Sequence, residues 1–324
     1  MPDDGLNTGP TLSSVERSIV SALQRDGRAQ YARLARDLGV TEKTIARRID
    51  RLLADHVIEI TTATDPSLLG YRAAALIGVS CDGSVSPPEL VDALAELRWV
   101  DYAVQALGPY ELLVEIVCRD EEEMLEVAQA RILALAGVAA IETFPYLRMP
   151  YQEPVWERAQ EKDGGRSQDG SRQLDEVDRL IVAKLSENGR LPFRAVGEAL
   201  GISESQVRKR VHRMTESGAV RIMALTDPRN LGFETSAFIG LRVDPGRQVT
   251  ELAAAIAALP SVTYLAICGG RFDILAEVVC RDAEHLIGVL DEQLRNLSGV
   301  AYLETFPFRL VHYRRLHPAP GAGP

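Results

Sequence analysis

The sequence predicts an α+β fold that occurs twice along one chain of 324 residues. The first observation behind this prediction is a repeat with a constant offset of 162 residues, which sets Ile19 against Ile181 and Gly108 against Gly270 without a gap. The second observation is a change of pattern within each copy, from apolar residues at helical spacing to continuous apolar runs typical of strands. A repeat of this length exceeds the roughly 20–50 residues of a solenoid unit and therefore indicates two copies of one whole module.

Three short helices are predicted at the start of each copy. In the first copy the second helix ends at Gly39, a residue type that commonly terminates helices, and a third amphipathic helix opens with Thr41 as its N-cap. Gly201 and Ser203 repeat both signals in the second copy. A short helix, a tight turn containing glycine and a second amphipathic helix together predict a helix-turn-helix.

A strand follows the helices in each copy, at residues 58–62 and 220–224, and we interpret it as the first strand of a wing. A strand, a helix, two strands, a helix and a last strand are then predicted, which in the first copy cover residues 73–81, 87–97, 102–106, 112–117, 121–135 and 138–147. The second copy has the same order between Ala237 and Leu310. This order is the ferredoxin-like βαββαβ arrangement. Because helices would cover only one face of each sheet, the other apolar face indicates dimerisation.

The domain boundaries follow from these patterns. We assign winged helix-turn-helix domains to residues 11–64 and 174–226, ferredoxin-like domains to residues 65–150 and 227–312, and a linker to residues 151–173. The linker is polar and rich in glycine at its centre, which is typical of a flexible connection. The proline, alanine and glycine residues from His317 onward predict a disordered tail.

The net charge of −10 is unevenly distributed along the chain. Residues 11–60 and residues 173–222 each carry nine Lys or Arg against seven Asp or Glu, a balance of +2, so the remainder sums to −14. Because salt screens charges beyond about 10 Å at 0.1 M, the acidic remainder does not prevent the two basic segments from contacting phosphates. No apolar run reaches the roughly 18–20 residues of a membrane span, so we expect no membrane partner.

The cysteines predict neither a metal site nor a disulfide framework. They form no Cys-x-x-Cys pair and no cluster with histidine, and they are Cys81, Cys118, Cys268 and Cys280. We therefore expect no cofactor, reduced thiols and a cytoplasmic location. The acidic N-terminus also lacks the basic and apolar segments of a signal peptide.

Basic side chains lie opposite the apolar stripe of the third helix in each copy. On a helix-turn-helix this face enters the major groove, where Arg and Lys bind guanine edges or phosphates. The alternative is a solvated basic face without a partner, but the same placement in two copies favours double-stranded DNA. The predicted DNA-binding residues are Thr41, Lys43, Thr44, Arg47, Arg48 and Arg51 in the first copy, and Ser203, Ser205, Gln206, Arg208, Lys209, Arg210 and Arg213 in the second.

The two third helices differ near their starts, where a recognition helix reaches the bases. The differing pairs are Lys43 and Ser205, Thr44 and Gln206, and Ala46 and Arg208. We therefore expect the two halves to prefer different half-sites, so that one chain reads a non-palindromic operator.

A Gly-x-Tyr/Phe-acid turn in each copy is the candidate effector site. Glycine allows close backbone approach to a carboxylate, and the acid would meet an ammonium group, so that an amino acid would fit. The alternative is a tight turn whose acid is a surface charge. The candidate effector-binding residues are Gly108, Tyr110, Glu111, Gly270, Phe272 and Asp273. Pro109 and Arg271 differ between the turns, which indicates that one site is altered.

Each copy resembles a whole member of the Lrp/AsnC (feast/famine) transcriptional regulators. The resemblance rests on the Leu34–Leu52 segment, the Asp65-Pro66 and Leu69-Gly70 join, and the two Gly-x-Tyr/Phe-acid turns. It implies a winged helix-turn-helix, a ferredoxin-like effector (RAM) domain, a small-molecule effector, and sheet-to-sheet dimers that assemble into homo-oligomers. Because members of this family usually carry one copy per chain, this chain resembles a tethered dimer.

Siroheme decarboxylases resemble the same layout and also occur as fused pairs, which is the alternative function. That resemblance implies histidine and arginine near the second strand of the ferredoxin-like domain. Here the corresponding segments, residues 102–107 and 264–269, contain no histidine, and the histidines are His56, His212, His285, His312 and His317. General acid–base chemistry therefore lacks an obvious carrier, so we expect a regulator and not an enzyme. A third reading is a DNA-binding module that has no effector or that co-assembles with a single-copy relative.

Overall fold

The computed structural model describes residues 12–152 and 174–313 of the chain. Most of the predicted linker at residues 151–173 and the predicted tail from His317 onward lie outside these ranges. The described residues form two compact units, residues 12–64 with 174–234 (the head unit) and residues 65–152 with 235–313 (the barrel unit). Each unit therefore contains matching domains from both copies, here called half 1 and half 2.

Half 1 contains α1 (Ser14–Arg25), α2 (Tyr31–Leu38), α3 (Glu42–Ala54), β1 (Ile58–Thr64), β2 (Ala73–Cys81), α4 (Pro87–Ala95), β3 (Val100–Ala106), β4 (Leu112–Cys118), α5 (Glu121–Glu126) and β5 (Val138–Gln152). Half 2 contains α6 (Glu176–Glu187), α7 (Phe193–Leu200), α8 (Glu204–Glu216), β6 (Val220–Thr226), β7 (Thr235–Val243), α9 (Val249–Ala257), β8 (Val262–Cys268), β9 (Ile274–Cys280), α10 (Ala283–Gly288) and β10 (Val300–Tyr313). The α+β fold class and its duplication are thereby confirmed.

Two predicted element bounds depart furthest from the structure. The helix predicted over residues 121–135 is α-helical only to Glu126 and continues as π-helix over Val127–Ile132. The last strand of half 1 extends past the predicted end at residue 147 to Gln152. Its added residues pair with β8 of half 2, a long-range contact that the local pattern of half 1 does not contain.

The head unit contains the two helix-turn-helix domains. Gly39 and Gly201 end α2 and α7 with φ values of 65° and 68°, a left-handed conformation that glycine adopts without strain. Ile19 on α1 and Ile45 on α3 are fully buried, as their spacing predicts. Because the apolar face of the third helix is buried in this way, its basic face is directed outward.

The predicted wing strands pair with each other. β1 and β6 form a two-stranded antiparallel sheet in which Ile58 lies opposite Thr226 and Thr64 lies opposite Val220. The partner strand of each predicted wing therefore belongs to the other half. Gly27 and Gly189 allow this close approach, since a Cβ atom at Gly27 would lie 2.8 Å from the backbone nitrogen of Met223.

The barrel unit contains the two ferredoxin-like domains. Its strands form one closed barrel in the order β10-β3-β4-β2-β5-β8-β9-β7, in which β5 pairs with β8 and β10 pairs with β3 across the two halves. In each half, helices cover the outer face of a four-stranded sheet, as shown by the cluster that joins Leu90 of α4 to Ile77 of β2. The inner faces meet in a shared cluster that includes Phe144, Phe238 and Phe306. The apolar face that required a partner thus finds it in the other half.

None of the helices among the described residues combines the length and the apolar character needed to cross a membrane.

Candidate DNA-binding and effector sites

The predicted cap residues hold the starts of the third helices. Thr41 Oγ1 accepts a hydrogen bond from the backbone nitrogen of Thr44 at 3.2 Å, and the two hydroxyls lie 2.9 Å apart. In half 2, Gln206 Oε1 accepts from the backbone nitrogen of Ser203 at 3.0 Å, which forms a reciprocal capping box. Ser205 Oγ lies 3.0 Å from Ser203 Oγ. These side chains are therefore already engaged in positioning the helices, and their contact with DNA stays a prediction.

Three of the predicted DNA-binding arginines also hold the third helix against the first helix of their half. Arg48 Nη1 lies 3.2 Å from Glu16 Oε1, and Arg210 Nη1 lies 2.6 Å from Asp175 Oδ2 and 2.8 Å from Asp178 Oδ1. Arg213 also pairs with Asp178, which is fully buried. Losing both arginines would leave a buried carboxylate uncompensated, a costly state. Arg48, Arg210 and Arg213 thus have a structural role that the sequence pattern did not reveal.

The remaining basic side chains of the third helices differ in whether an acid of the same helix already engages them. Arg51 pairs with Asp55 at 3.3 Å, and Arg208 pairs with Glu204 at 2.6 Å. Within the part of the chain that the structure describes, the exposed cations of the third helices without an ion pair or hydrogen bond are Lys43, Arg47 and Lys209. Half 1 therefore offers two unengaged cations on its third helix and half 2 offers one.

The turn acids of the candidate effector site bind the ends of neighbouring strands, β2 in half 1 and β7 in half 2. Glu111 Oε2 accepts from the backbone nitrogen of Cys81 at 2.8 Å, and Asp273 Oδ2 accepts from that of Val243 at 2.8 Å. Asp273 also lies 3.3 Å from Arg242 Nε. One carboxylate oxygen in each turn is thus engaged, which supports the structural alternative for these acids while leaving the second oxygen of Glu111 for a ligand.

The turn glycines and aromatics have distinct structural roles. Gly108 and Gly270 have φ values of 131° and 108°, which only glycine adopts readily. Tyr110 and Phe272 are buried, and a Cβ atom at the facing Gly78 would lie 2.7 Å from the Tyr110 ring. The two aromatic side chains therefore belong to the barrel core, and only the hydroxyl of Tyr110 reaches polar groups.

Arg271 connects the two halves beside these turns, a junction that sequence reasoning missed. Its Nε lies 3.3 Å from Glu142 Oε1 of half 1, and its Nη1 lies 2.8 Å from Glu304 Oε2 of half 2. Its Nη2 donates to the Tyr110 hydroxyl at 2.7 Å, and its guanidinium lies 4.6 Å from the centroid of Phe272. The signal that could have found it was the Glu-Thr-Phe-Pro sequence repeated in both halves.

A second missed feature is a set of acids on the inner face of the barrel. Glu277 accepts from Thr263 Oγ1 at 2.7 Å and from the Tyr102 hydroxyl at 2.9 Å, and burial raises its pKa. Its equivalent, Glu115, accepts from the Tyr146 hydroxyl at 2.7 Å. A glutamate in the middle of an apolar strand was the available sequence signal.

Asp101 occupies in half 1 the position of Thr263 in half 2. Burial and the neighbouring carboxyl of Glu115 raise the pKa of Asp101 well above its ordinary value. Its Oδ1 is buried and has no hydrogen-bond partner among the described residues. Half 1 therefore places a second buried carboxyl beside Glu115, where half 2 has the hydroxyl of Thr263.

The buried thiols are poorly suited to reactive chemistry. Burial raises the pKa of Cys118 and of Cys268 to about 12, which disfavours a reactive thiolate. In residues 12–152 and 174–313, no group of three or more His, Cys, Asp or Glu side chains could hold a metal ion.

Comparison with known proteins agrees with this architecture. The AsnC-type helix-turn-helix domain matches residues 12–53 and 174–215, and the Lrp/AsnC ligand binding domain matches residues 74–156 and 236–308. An uncharacterized HTH-type transcriptional regulator of Pyrococcus abyssi is 35% identical over 134 residues, covering 41% of this chain and 84% of the relative. The HTH-type transcriptional regulator Ptr1 of Methanocaldococcus jannaschii is 37% identical over 128 residues, covering 39% of this chain and 86% of the relative.

Among solved structures, the siroheme decarboxylase NirDL shares the fold along both halves. It is 18% identical, has a TM-score of 0.60, and the match covers 94% of each chain. This likeness concerns the fold alone. The two domain types, each matched twice and in the same order, show that the chain belongs to the Lrp/AsnC family as a fusion of two copies.

Proposed function

We propose that this protein is a transcriptional regulator that binds double-stranded operator DNA through α3 and α8. The proposal rests on three exposed cations, Lys43, Arg47 and Lys209, that have no ion pair or hydrogen bond among the described residues. They lie on α3 and α8, and the strands that follow these helices, β1 and β6, form one sheet. Exposed cations at this position bind phosphates and base edges. Membership of the Lrp/AsnC family and the regulators among its relatives support the same reading.

The two helices are proposed to read different half-sites. Lys43 of half 1 corresponds to Ser205, so a cation at the start of α3 is replaced by a hydroxyl at the start of α8. Arg208 of half 2 corresponds to Ala46, but its guanidinium is engaged by Glu204. Unlike chemistry on the two helices favours an operator without two-fold symmetry, since each half-site is chosen by its own helix.

Selection from a pool of genomic fragments at two salt concentrations tests this function. We expect the bound DNA to contain a discrete, asymmetric site, and Arg47→Ala and Lys209→Ala to weaken binding to it. Arg131→Ala is the matched control, because Arg131 is an exposed arginine of the barrel unit that pairs with Glu126. Recovery of bulk DNA without a shared site, or equal loss in the control, would contradict the proposal.

We further propose that a small molecule with ammonium and carboxylate groups, such as an amino acid, modulates DNA binding from the barrel unit. The ligand binding domain of the family covers both candidate turns. The turn of half 1 is the better candidate, because Asp273 of half 2 already pairs with Arg242 while Glu111 lacks an arginine partner among the described residues. Calorimetry with a set of amino acids, repeated with Glu111→Gln, tests this assignment.

We propose that the protein assembles into a homo-oligomer. Leu125 and Ile287 occupy equivalent positions on α5 and α10 and are 58% and 57% exposed, so these helices offer apolar surface for a homo-oligomer. Analytical ultracentrifugation of Leu125→Lys with Ile287→Lys tests whether these faces associate. A regulator that binds DNA and keeps its thiols reduced is proposed to act in the cytoplasm.

Siroheme decarboxylation is the second candidate, favoured by the fold likeness to NirDL along the whole chain. Strands β3 and β8 carry no histidine, so the acid–base carrier implied by that function is missing at this place. Incubation with siroheme, followed by mass spectrometry of the tetrapyrrole, separates the two functions. Loss of carboxyl groups would overturn the regulator reading.

A further inference from the structure

The contacts between the heads fall into a symmetric set and an asymmetric set. In the symmetric set, Thr64 Oγ1 donates to the carbonyl of Ala219 at 2.6 Å, and its equivalent Thr226 donates to that of Val57 at 2.6 Å. Such contacts would form in any pairing of two such heads. The asymmetric set must therefore decide which halves pair.

The clearest asymmetry lies between the first helix of one half and the sheet strand of the other. Thr62 of β1 hydrogen-bonds the hydroxyl of Ser186 on α6, and Ser186 is buried. The equivalent positions hold Ala224 on β6 and Gln24 on α1, and both of these side chains are fully buried. Because α1 packs on β6, the equivalence of positions places the larger Gln24 beside the smaller Ala224, the reverse of the Ser186 and Thr62 pair.

Residues Thr61 and Met223 lie opposite each other at the centre of this sheet. Both are buried, and Thr61 Oγ1 donates to the carbonyl of Ser186 at 2.8 Å. Two copies of half 1 would place Gln24 against Thr62 and overfill the site. Two copies of half 2 would place Ser186 beside Ala224, which leaves a void, and would bring two Met223 side chains together. Either change in packed volume is destabilising.

The barrel unit contains a second determinant of the same kind. Arg271 of half 2 neutralises Glu142 of half 1 as well as Glu304 of its own half. Half 1 has Pro109 at the equivalent position, so two copies of half 1 would bring two Glu142 carboxylates together without this arginine. Like charges that share a site oppose that pairing.

We infer that the two halves are fitted to each other and not to themselves, so that each half selects the other half of a chain as its partner and excludes a second copy of itself. The surface that recognises the partner consists of Gln24, Thr62, Ser186 and Ala224 in the head unit, with Arg271 in the barrel unit.

Cysteine cross-linking in the full chain tests this inference without DNA. Ala63 lies opposite Arg221 in the sheet, and Arg221 corresponds to Glu59, so pairing of two half 1 copies would place residue 63 opposite residue 59 of another chain. In a Cys81→Ser background, Ala63→Cys with Arg221→Cys should give an intrachain product with a short bismaleimide. Glu59→Cys with Ala63→Cys should give no interchain dimer. Equal yields from the two pairs would overturn the inference.

Compensating substitutions test the steric determinant itself. Ser186→Gln should lower the equilibrium constant of head pairing by about tenfold, the fold-change of a typical overpacking cost, and with it the yield of the 63–221 product. Adding Thr62→Ala should restore it, because the site then resembles Gln24 beside Ala224. Gln24→Ser together with Glu142→Gln should in turn allow the 59–63 interchain product, because the two variants remove the steric and the charge determinants that oppose pairing of two half 1 copies. An unchanged yield in Ser186→Gln, or no recovery in the double variant, would overturn the inference.

Discussion

Arg28 and Arg190 occupy equivalent positions in the two halves, and each holds the loop of the other. Arg28 donates to the carbonyls of Gly189 and Leu191 at 2.8 and 3.0 Å, and Arg190 donates to those of Gly27 and Ala29 at 2.9 and 3.1 Å. Burial, followed by the positive charge of Arg190, lowers the pKa of Arg28. The two guanidinium groups can thus lie near each other, because backbone carbonyls accept hydrogen bonds from both of them.

Arg28→Ala is expected to weaken the head unit, because carbonyls of the opposing loop lose charged donors. The expected loss in unfolding free energy is about 2–3 kcal/mol. Urea denaturation followed by far-UV circular dichroism measures it. Arg33→Ala is the control, since its salt bridge to Asp37 at 3.8 Å is exposed and worth little. Equal losses in the two variants would show that the loop contacts do not stabilise the pairing.

Gly27→Ala is expected to strain the contact between the α1–α2 loop and β6. Its Cβ atom would lie 2.8 Å from the backbone nitrogen of Met223, which cannot move away like a flexible side chain. We expect a loss of about 1–3 kcal/mol in thermal unfolding experiments. Gly288→Ala on α10 is the matched control, because no atom outside its own stretch of helix lies within 4 Å of its Cβ position. The control should be neutral or more stable, as alanine favours helices.

Asp101→Thr, which copies Thr263 of half 2, is expected to remove a pH-dependent loss of stability. Because the pKa of Asp101 is raised in the folded state, the folded protein binds an extra proton above the ordinary Asp pKa, and its stability falls as the pH rises toward the folded value. Unfolding free energies between about pH 5 and about pH 8 should therefore fall less in the variant.

Asp82→Asn, measured over the same pH series, is the control, because the pKa of Asp82 is shifted in the opposite direction to that of Asp101. Hydrogen bonds from Ser84 lower the pKa of Asp82, so its ionised form contributes stability that is present above the ordinary Asp pKa. This substitution should not flatten the fall in stability with rising pH. If Asp101→Thr and the parent chain have parallel pH profiles, the raised pKa of Asp101 does not contribute to the pH dependence of stability.

Arg271→Ala is expected to destabilise the barrel unit, because Glu142 and Glu304 would then repel each other without a cation. Since these side chains are partly exposed, we expect a loss of only about 1 kcal/mol, and less at high salt. Adding Glu142→Gln should recover part of it in thermal unfolding. Arg242→Ala, which removes a comparably exposed arginine from Asp273, is the control and should not respond to Glu142→Gln. A response in both backgrounds would contradict the assigned pairing.

The two heads are expected to contribute unequally to the salt dependence of DNA binding. Lys43→Ala with Arg47→Ala removes two unengaged cations from half 1 and should reduce the salt slope by about two charges if both contact phosphates. Lys209→Ala should reduce it by about one. Fluorescence anisotropy over a salt series measures both slopes. Identical slopes for all variants and the parent chain would remove these side chains from the interface.

Periodicity predicted the helices, most strand positions and the duplication, because these signals reside within short stretches of chain. The spacing of Ile19 and the position of Gly39 are examples, since each depends on neighbouring residues alone. The predicted candidate sites also lie on the expected elements. Their individual contacts, such as Arg48 with Glu16, were not predictable, because an arginine on a helix surface has the same local pattern whether it faces solvent or a neighbouring helix.

The sequence by itself determined that two copies of one α+β module occur, that their third helices are basic, and that these helices differ between the copies. Only the tertiary structure decided that β1 pairs with β6, that one barrel joins both sheets, and that Arg271 forms ion pairs with glutamates of both halves. The physical reason is that backbone hydrogen bonds are alike for every strand partner. Selection among partners depends on distant side chains, such as Thr62 and Ser186, whose fit exists only after the chain has brought them together.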